Sequence, residues 1–172
     1  MLRTKTCLAL SVAVLLLAVT GCTNDDLDDS GSADVVLEIE TLENPPVSAT
    51  LDSTSGACIF QVSDWRFGAR NLPKNDLAGE SGFNDISMTQ VTITYQWIGG
   101  AVTPQRVVGL GGIIIPVNGT ASLELQPIAF DDLNGGLQGS TANLTMLFEG
   151  VTVEGSRVSQ TVGRQLFIEG CI

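Results

Sequence analysis

The chain has no histidine and few aromatic or basic residues. Its 172 residues include 5% aromatic residues, and 8 basic residues stand against 19 acidic ones, giving a formal net charge of −11. Without histidine, the protein lacks the usual general base, the usual transition-metal ligand and any Ser-His or Cys-His catalytic pair. The acidic balance argues against a nucleic-acid partner. The length predicts one domain of ordinary size or two very small ones, and we expect a protein that is not an enzyme.

Residues 1–21 have the pattern of a secretory signal peptide. Arg3 and Lys5 make the start of the chain positive, and an apolar run from Leu8 to Val19 follows. This run has the length of a signal-peptide core and is too short to span a bilayer. The alternative is a transmembrane helix that stays in the mature protein.

The signal ends in a four-residue motif, Val19-Thr20-Gly21-Cys22. The motif resembles the lipobox of bacterial lipoproteins, although valine replaces the commoner leucine at its first position. The resemblance implies cleavage before Cys22, whose thiol then carries diacylglycerol and whose amino group is acylated. Two or more acyl chains anchor a protein stably to a membrane. In the alternative, ordinary signal peptidase leaves Cys22 free.

The residue after the cysteine bears on the destination. In Gram-negative lipoproteins an aspartate there retains the protein at the inner membrane, and this chain has Thr23. The resemblance therefore implies delivery to the outer membrane of a Gram-negative envelope, on its periplasmic or its surface face.

Residues 22–33 are predicted to be the lipidated cysteine and a flexible acidic tether. Thr23–Ala33 is polar, contains four aspartates and cannot bury a core. Fully extended, these eleven residues reach about 35–40 Å. Removing residues 1–21 takes away two basic and no acidic residues, so the mature net charge falls from −11 to −13. A calcium site in this segment is the alternative, but the glycine and distal glutamate of an EF-hand loop are missing.

Two cysteines, Cys58 and Cys171, are left once Cys7 leaves with the signal and Cys22 takes lipid. Exported proteins reside in oxidising compartments, where such a pair usually joins. We predict a disulfide, which closes a long loop and stabilises the fold by about 4–5 kcal/mol in the chain-entropy model. The alternative is two buried thiols that behave as small apolar groups.

From Asp34 onward, short β-rich runs alternate with Gly, Pro, Asn and Asp, and no amphipathic helix of three turns is predicted. Seven to nine strands of this kind indicate an all-β sandwich over residues 34–172. The pattern resembles an immunoglobulin-like or fibronectin type III-like module. It departs from a true immunoglobulin domain because no tyrosine lies two residues before Cys171. A jelly roll or a small barrel is the alternative.

Individual strands are predicted where apolar and polar residues alternate. The clearest is Val91–Ile98, whose odd-numbered residues face one way. Leu144, Met146 and Phe148 are expected to point inward on another, and Pro127–Gly136 to hold one helical turn. The other predicted strand runs are Val35–Leu42, Cys58–Phe67, Val107-Val108, Ile113–Ile115, Ala121–Gln126, Arg157–Thr161 and Leu166–Glu169.

Two groups of acidic residues are weak candidates for chemistry. Asp131, Asp132 and Asn134 supply three oxygen-bearing side chains that could begin a calcium site, but the same residues are typical of a β-turn. A pair drawn from Asp64, Asp85, Asp131 and Asp132 could serve glycoside hydrolysis. Nothing in the sequence sets any two of these acids at the required separation. No cofactor is predicted.

Recognition is the remaining class of function. Trp65, Tyr95 and Trp97 could bind a sugar or a protein, although the alternation of Tyr95 and Trp97 favours the core. The longest irregular stretch in the middle of the domain is predicted over Asn71–Asp85, and long loops on rigid sandwiches often carry recognition. The candidate binding residues of this loop are Asn71, Lys74, Asp76, Phe83 and Asp85.

We therefore expect a lipid-anchored envelope protein whose sandwich is a non-catalytic binding or structural module with a protein or glycan partner. The alternatives are a carboxylate-dependent hydrolase of envelope glycans and a calcium-dependent adhesion module.

Overall fold

The computed structural model describes residues 33–172, apart from Ser81, Val102, residues 134–136 and Ile172. The predicted signal peptide, the lipidated Cys22 and the tether up to residue 32 lie outside the described residues, as does Asn134. The described part of the chain contains no helix that is long and apolar enough to cross a membrane. It contains ten strands: β1 (Val35–Glu43), β2 (Ser48–Leu51), β3 (Cys58–Gln61), β4 (Trp65–Pro73), β5 (Ile86–Trp97), β6 (Arg106–Gly109), β7 (Ile114–Ile115), β8 (Thr120–Leu125), β9 (Thr141–Thr152) and β10 (Arg157–Phe167).

The strands form two main antiparallel sheets and a small hairpin. The first sheet has the order β1-β4-β8, and the second has the order β10-β9-β5, with β6 and β7 both along the outer edge of β5. Strands β2 and β3 make the separate hairpin. The predicted all-β sandwich is confirmed, and its strand order matches the A-B-E and G-F-C-C′ sheets of the immunoglobulin-like fold.

The core lies between the two main sheets. Along β9, Leu144, Met146 and Phe148 are buried as predicted, because alternate side chains of a strand point to the same face. The ring of Phe67 on β4 lies 5.2 Å from the ring of Phe148, centroid to centroid, so the two sheets meet through these aromatic side chains.

Strand β5 is longer than predicted and contains a β-bulge. The pairing of β5 with β9 shifts register between Met88 and Gln90. Before the bulge Ile86 and Met88 are buried, whereas after it Val91 and Ile93 are buried. Because of the extra residue at the bulge, even-numbered residues face the core before it and odd-numbered residues face the core after it. A search for strict alternation therefore identified only the second half of the strand.

The prediction of one strand over Cys58–Phe67 was also wrong in its bounds. The run predicted as Cys58–Phe67 is divided into β3 and β4, and β4 then continues through Asn71 to Pro73. Pairing with β1, which begins Val35↔Pro73, holds this stretch extended despite its turn-forming residues. A proline is tolerated at a strand end, where one lost donor matters little.

The sandwich has two distinct ends. At one end, β4 and β9 finish while β1, β5 and β10 begin, and we call it the loop end because it carries the β4–β5 connection. At the other end, β1, β5 and β10 finish; we call it the disulfide end. A parallel bridge between Val47 and Ile168 joins the first and last parts of the domain there.

The predicted disulfide is present at that end. Cys58 and Cys171 are bonded, with their Cα atoms 6.0 Å apart and a sequence separation of 113. It joins β3 to the segment after β10, so it differs from the disulfide between strands B and F of antibody domains.

Candidate functional site

The predicted recognition loop is the β4–β5 connection at the loop end, and it is shorter than expected. Lys74, Asp76, Phe83 and Asp85 lie on it, with two short 3-10 turns at Ala78–Glu80 and Gly82–Asn84. Asn71 was wrongly included in the loop: it belongs to β4 and is fully buried, so it has no surface to offer a partner.

Asn71 instead ties the loop to the sandwich. Its side-chain Nδ2 donates to the carbonyl oxygens of Asn84 at 2.9 Å and Ile115 at 3.0 Å. Its main-chain N–H donates to Gly119 and its carbonyl accepts from Asn118, at 3.2 and 2.9 Å. The buried side chain of Asn71 therefore links β4 to the end of the β4–β5 loop and to β7, and its main chain links β4 to the β7–β8 connection.

Further hydrogen bonds fix the shape of the loop itself. Asn75 Oδ1 accepts from the main-chain N–H of Ala78 at 2.8 Å, and Asn84 Nδ2 donates to the Ala78 carbonyl at 3.1 Å. Asp85 Oδ1 accepts from the N–H of Val117 at 3.0 Å. The loop thus has a defined conformation. A loop that is already ordered lowers the entropy cost of binding a partner.

The turn between β9 and β10 packs beside this loop. The N–H of Val153 donates to the Asp85 carbonyl at 3.2 Å, and the N–H of Glu154 donates to the Phe83 carbonyl at 3.3 Å. The two connections therefore form one continuous surface at the loop end.

This surface exposes large apolar side chains. Leu77 is 82% exposed, Phe83 67% and Val153 64%. Sequence reasoning had singled out Phe83 but not Leu77 or Val153. The only sequence signal for these residues is that each is a large apolar residue flanked by turn-forming residues. This signal is weak because single exposed apolar residues are common.

A shallow depression of about 390 Å³ lies beside these residues. Its lining is mostly polar: Pro73, Lys74, Asn75, Asp76, Gly79 and Asn118. Lys74 is the only lysine after the predicted signal peptide. Its main-chain N–H donates to the Asp34 carbonyl at 2.8 Å, so the depression lies beside the point where the chain enters the sandwich.

The three large aromatic side chains considered for ligand binding belong to the structural core instead. Trp65 is buried and its Nε1 donates to the Pro45 carbonyl at 2.8 Å. Trp97 is also buried, and its Nε1 donates to Thr103 Oγ1 at 2.8 Å. Tyr95 is partly buried and stacks on Trp97, with ring centroids 6.4 Å apart and planes 6° from parallel.

The hydroxyl of Tyr95 is held inside the disulfide end. It donates to the Pro127 carbonyl at 2.7 Å. The pKa of Tyr95 is raised to about 12, mainly by burial; the charge of Arg106 opposes the rise and that of Asp132 adds to it. Tyr95 therefore acts as a neutral hydrogen-bond donor rather than as a base at ordinary pH.

The acidic candidates are divided between the two ends. Asp85 lies at the loop end, and Oδ1 of its carboxylate accepts from the N–H of Val117. Asp64 immediately precedes β4 at the disulfide end. Asp131 and Asp132 also lie at that end, on the 3-10 turn Phe130–Asp132 that follows β8. Asp85 therefore cannot pair with either of them across a substrate. Among the described residues, no three His, Cys, Asp or Glu side chains are grouped so as to hold a metal ion.

Comparisons with known proteins add no functional assignment. No protein-family model matches the chain, and a search of curated proteins finds no match.

Proposed function

We propose that this chain is a lipid-anchored protein of the bacterial envelope whose sandwich is a non-catalytic binding or structural module. The lipid is attached at Cys22, and residues 23–33 tether the domain to the membrane. The partner is a protein or a glycan, and it contacts the polar depression beside Lys74 rather than the exposed apolar side chains. The membrane is that of the cell envelope, and in a Gram-negative cell it is the outer membrane.

The observation that carries the anchoring proposal is how the cysteines are used. Cys58 and Cys171 are bonded to each other, so Cys22 is the one cysteine after residue 21 whose thiol is left for lipid. A bond between Cys58 and Cys171 also fits an oxidising compartment outside the cytoplasm. Both features agree with the lipobox-like motif at Val19–Cys22.

The binding role is supported by the construction of the loop end. Its β4–β5 loop is held by buried amide hydrogen bonds, and a depression lined by Lys74, Asp76 and Asn118 opens beside it. A rigid scaffold that presents exposed side chains on a fixed loop is typical of recognition modules. The separation of Asp85 from Asp131 and Asp132 disfavours the hydrolase alternatives that pair them.

Anchoring is tested by metabolic labelling with palmitate in the bacterial host. The wild-type chain is expected to incorporate label and to partition into the detergent phase with the membrane fraction. Cys22→Ala should abolish both, whereas Cys58→Ala should retain the label, which controls for any general loss caused by removing a cysteine. Label that persists in Cys22→Ala would contradict the proposal.

Protease shaving of intact and lysed cells tests on which face of the membrane the folded domain lies. The remaining protein is detected with an antibody to that domain. Loss of signal from intact cells would place the partner outside the cell. Protection until lysis would place it in the periplasm and favour a role in envelope assembly. If all of the protein were recovered in the soluble fraction, with no membrane-associated pool, the proposal of an anchored envelope protein would be refuted.

A further inference from the structure

The geometry points to a second membrane contact: we propose that the loop end of the sandwich, through Leu77 and Val153, inserts into the surface of the bilayer that carries the anchor. The inference rests on the proposed lipid at Cys22 and adds an orientation for the folded domain. It commits to a lipid surface as the occupant of this apolar patch.

The first step is where the chain enters the sandwich. Strand β1 begins at Val35, which pairs with Pro73 at the end of β4, and the Asp34 carbonyl accepts from the N–H of Lys74. The segment that leads back to Cys22 therefore leaves the domain at the loop end, immediately beside the β4–β5 loop. Both ends of the sandwich have exposed apolar side chains, but the loop end, with Leu77 and Val153, is the one from which the chain leads to the anchor.

The second step is the character of the exposed side chains. Leu77 and Val153 come from two different connections, yet hydrogen bonds between those connections hold them on one surface. They are 82% and 64% exposed. Apolar side chains that project together from fixed loops lose unfavourable contact with water when they enter the acyl region. Phe83, 67% exposed, lies on the same surface.

The third step is charge. Around these side chains, Asp34, Asp76, Asp85 and Glu154 outnumber Lys74 and Arg157. An electrostatic attraction to anionic lipid is therefore not the driving force, because basic residues are what such lipids attract. The contact is apolar, so it should persist at high salt, where the repulsion between acidic residues and anionic lipid is screened.

The chain offers a direct optical test. Both native tryptophans, Trp65 at the start of β4 and Trp97 at the end of β5, are buried at the disulfide end. They should be beyond the reach of quenchers carried in the bilayer. Leu77→Trp places a new fluorophore at the loop end, and Ile98→Trp places one at the disulfide end, where Ile98 is 63% exposed. Both sites are on the surface, so both variants should fold.

The full lipidated protein is reconstituted into phosphatidylcholine vesicles with and without brominated acyl chains, and its flotation with the vesicles is measured. We expect all variants to float with the vesicles. The fluorescence of Leu77→Trp should be quenched several-fold more than that of Ile98→Trp. A second substitution, Val153→Asp, in the Leu77→Trp variant should reduce this quenching. The difference should survive a rise from low to molar salt.

The possible failures are distinguishable. If the variants float but Leu77→Trp is quenched no more than Ile98→Trp, the orientation is wrong while the anchored protein stands. If quenching is lost at high salt, the apolar contact is wrong. If the wild-type protein does not float, the anchor is wrong and this inference fails with it.

Discussion

Asn71→Leu is the substitution that tests most directly whether buried hydrogen bonds hold the candidate loop. Leucine has as many side-chain heavy atoms as asparagine and branches at the same carbon, although it is larger in volume, and it cannot donate to the carbonyls of Asn84 and Ile115. A buried carbonyl left unpaired costs about 1–3 kcal/mol, so two such groups cost about 2–6 kcal/mol. Asn71 Oδ1 itself has no hydrogen-bond partner among the described residues, and removing it recovers part of one such cost. We expect a net loss of about 2–3 kcal/mol.

The assay is urea unfolding followed by the fluorescence of Trp65 and Trp97, both buried in the folded state. A fall in the midpoint with an unchanged slope reports a change in stability rather than in denatured-state compactness. Amide hydrogen exchange adds a local readout, because the N–H groups of Val117 and Ala78 should lose protection first. The matched control is Asn75→Ala, which removes one partly buried cap and should cost less than about 1 kcal/mol.

Asn71→Asp gives the same reasoning a pH dependence. A carboxylate at this buried site faces two carbonyl oxygens, so its pKa should rise above the unfolded value of about 3.9. The penalty is therefore absent below that pH and grows as the pH rises toward the folded pKa. The variant should be less stable than Asn71→Leu at neutral pH and approach it in acid. A loss below about 0.5 kcal/mol for Asn71→Leu, or no pH dependence for Asn71→Asp, would refute the assigned role.

Three further predictions follow from other parts of the fold. Reducing the Cys58–Cys171 bond, whose ends are separated by 113 residues, should lower the free energy of unfolding by about 4–5 kcal/mol in urea; a loss below about 1 kcal/mol would contradict the closed-loop account. Gly150→Ala should destabilise the sandwich by about 1–3 kcal/mol in the same assay, because the new Cβ would lie 2.8 Å from Ile86 Cγ2 and 3.1 Å from the Ser87 carbonyl. Gly163→Ala, whose Cβ meets no atom closer than 4.0 Å, is its control and should differ clearly from it. Tyr95 is the chain's one tyrosine, so an ultraviolet titration reports it alone, and its pKa should be about 12 rather than 10. Because the folded state favours the protonated phenol, the stabilisation is complete below pH 10 and is lost as the pH rises through about 12; a midpoint near 10 in the folded protein would show that burial has no such effect.

The sequence predicted those parts of the fold whose signals are local. Alternation identified the second half of β5 and the inward side of β9, since each strand's own residues decide which face is apolar. It missed the first half of β5, although Ile86 and Met88 alternate too, because the bulge changes the parity before Val91. The disulfide was predicted from the number of cysteines left and the compartment, and the structure contains it.

The candidate site was only partly predictable, because its parts come from distant segments. Turn-forming residues at Asn71–Asn75 indicated a loop, yet pairing with β1 draws Asn71 and Pro73 into β4. No local sequence pattern predicts that Asn71 forms a hydrogen bond with Ile115, 44 residues away, or that Val153 lies beside Asp85.

The sequence by itself determined the class of fold, the pairing of Cys58 with Cys171 and the inward faces of the regular strands. Each depends on residue type and short spacing along the chain. The tertiary structure decided that the first strand starts beside the β4–β5 loop, and that Leu77 and Val153 share one surface there. Strand pairing across the sheets sets these positions, and its partners are far apart in sequence.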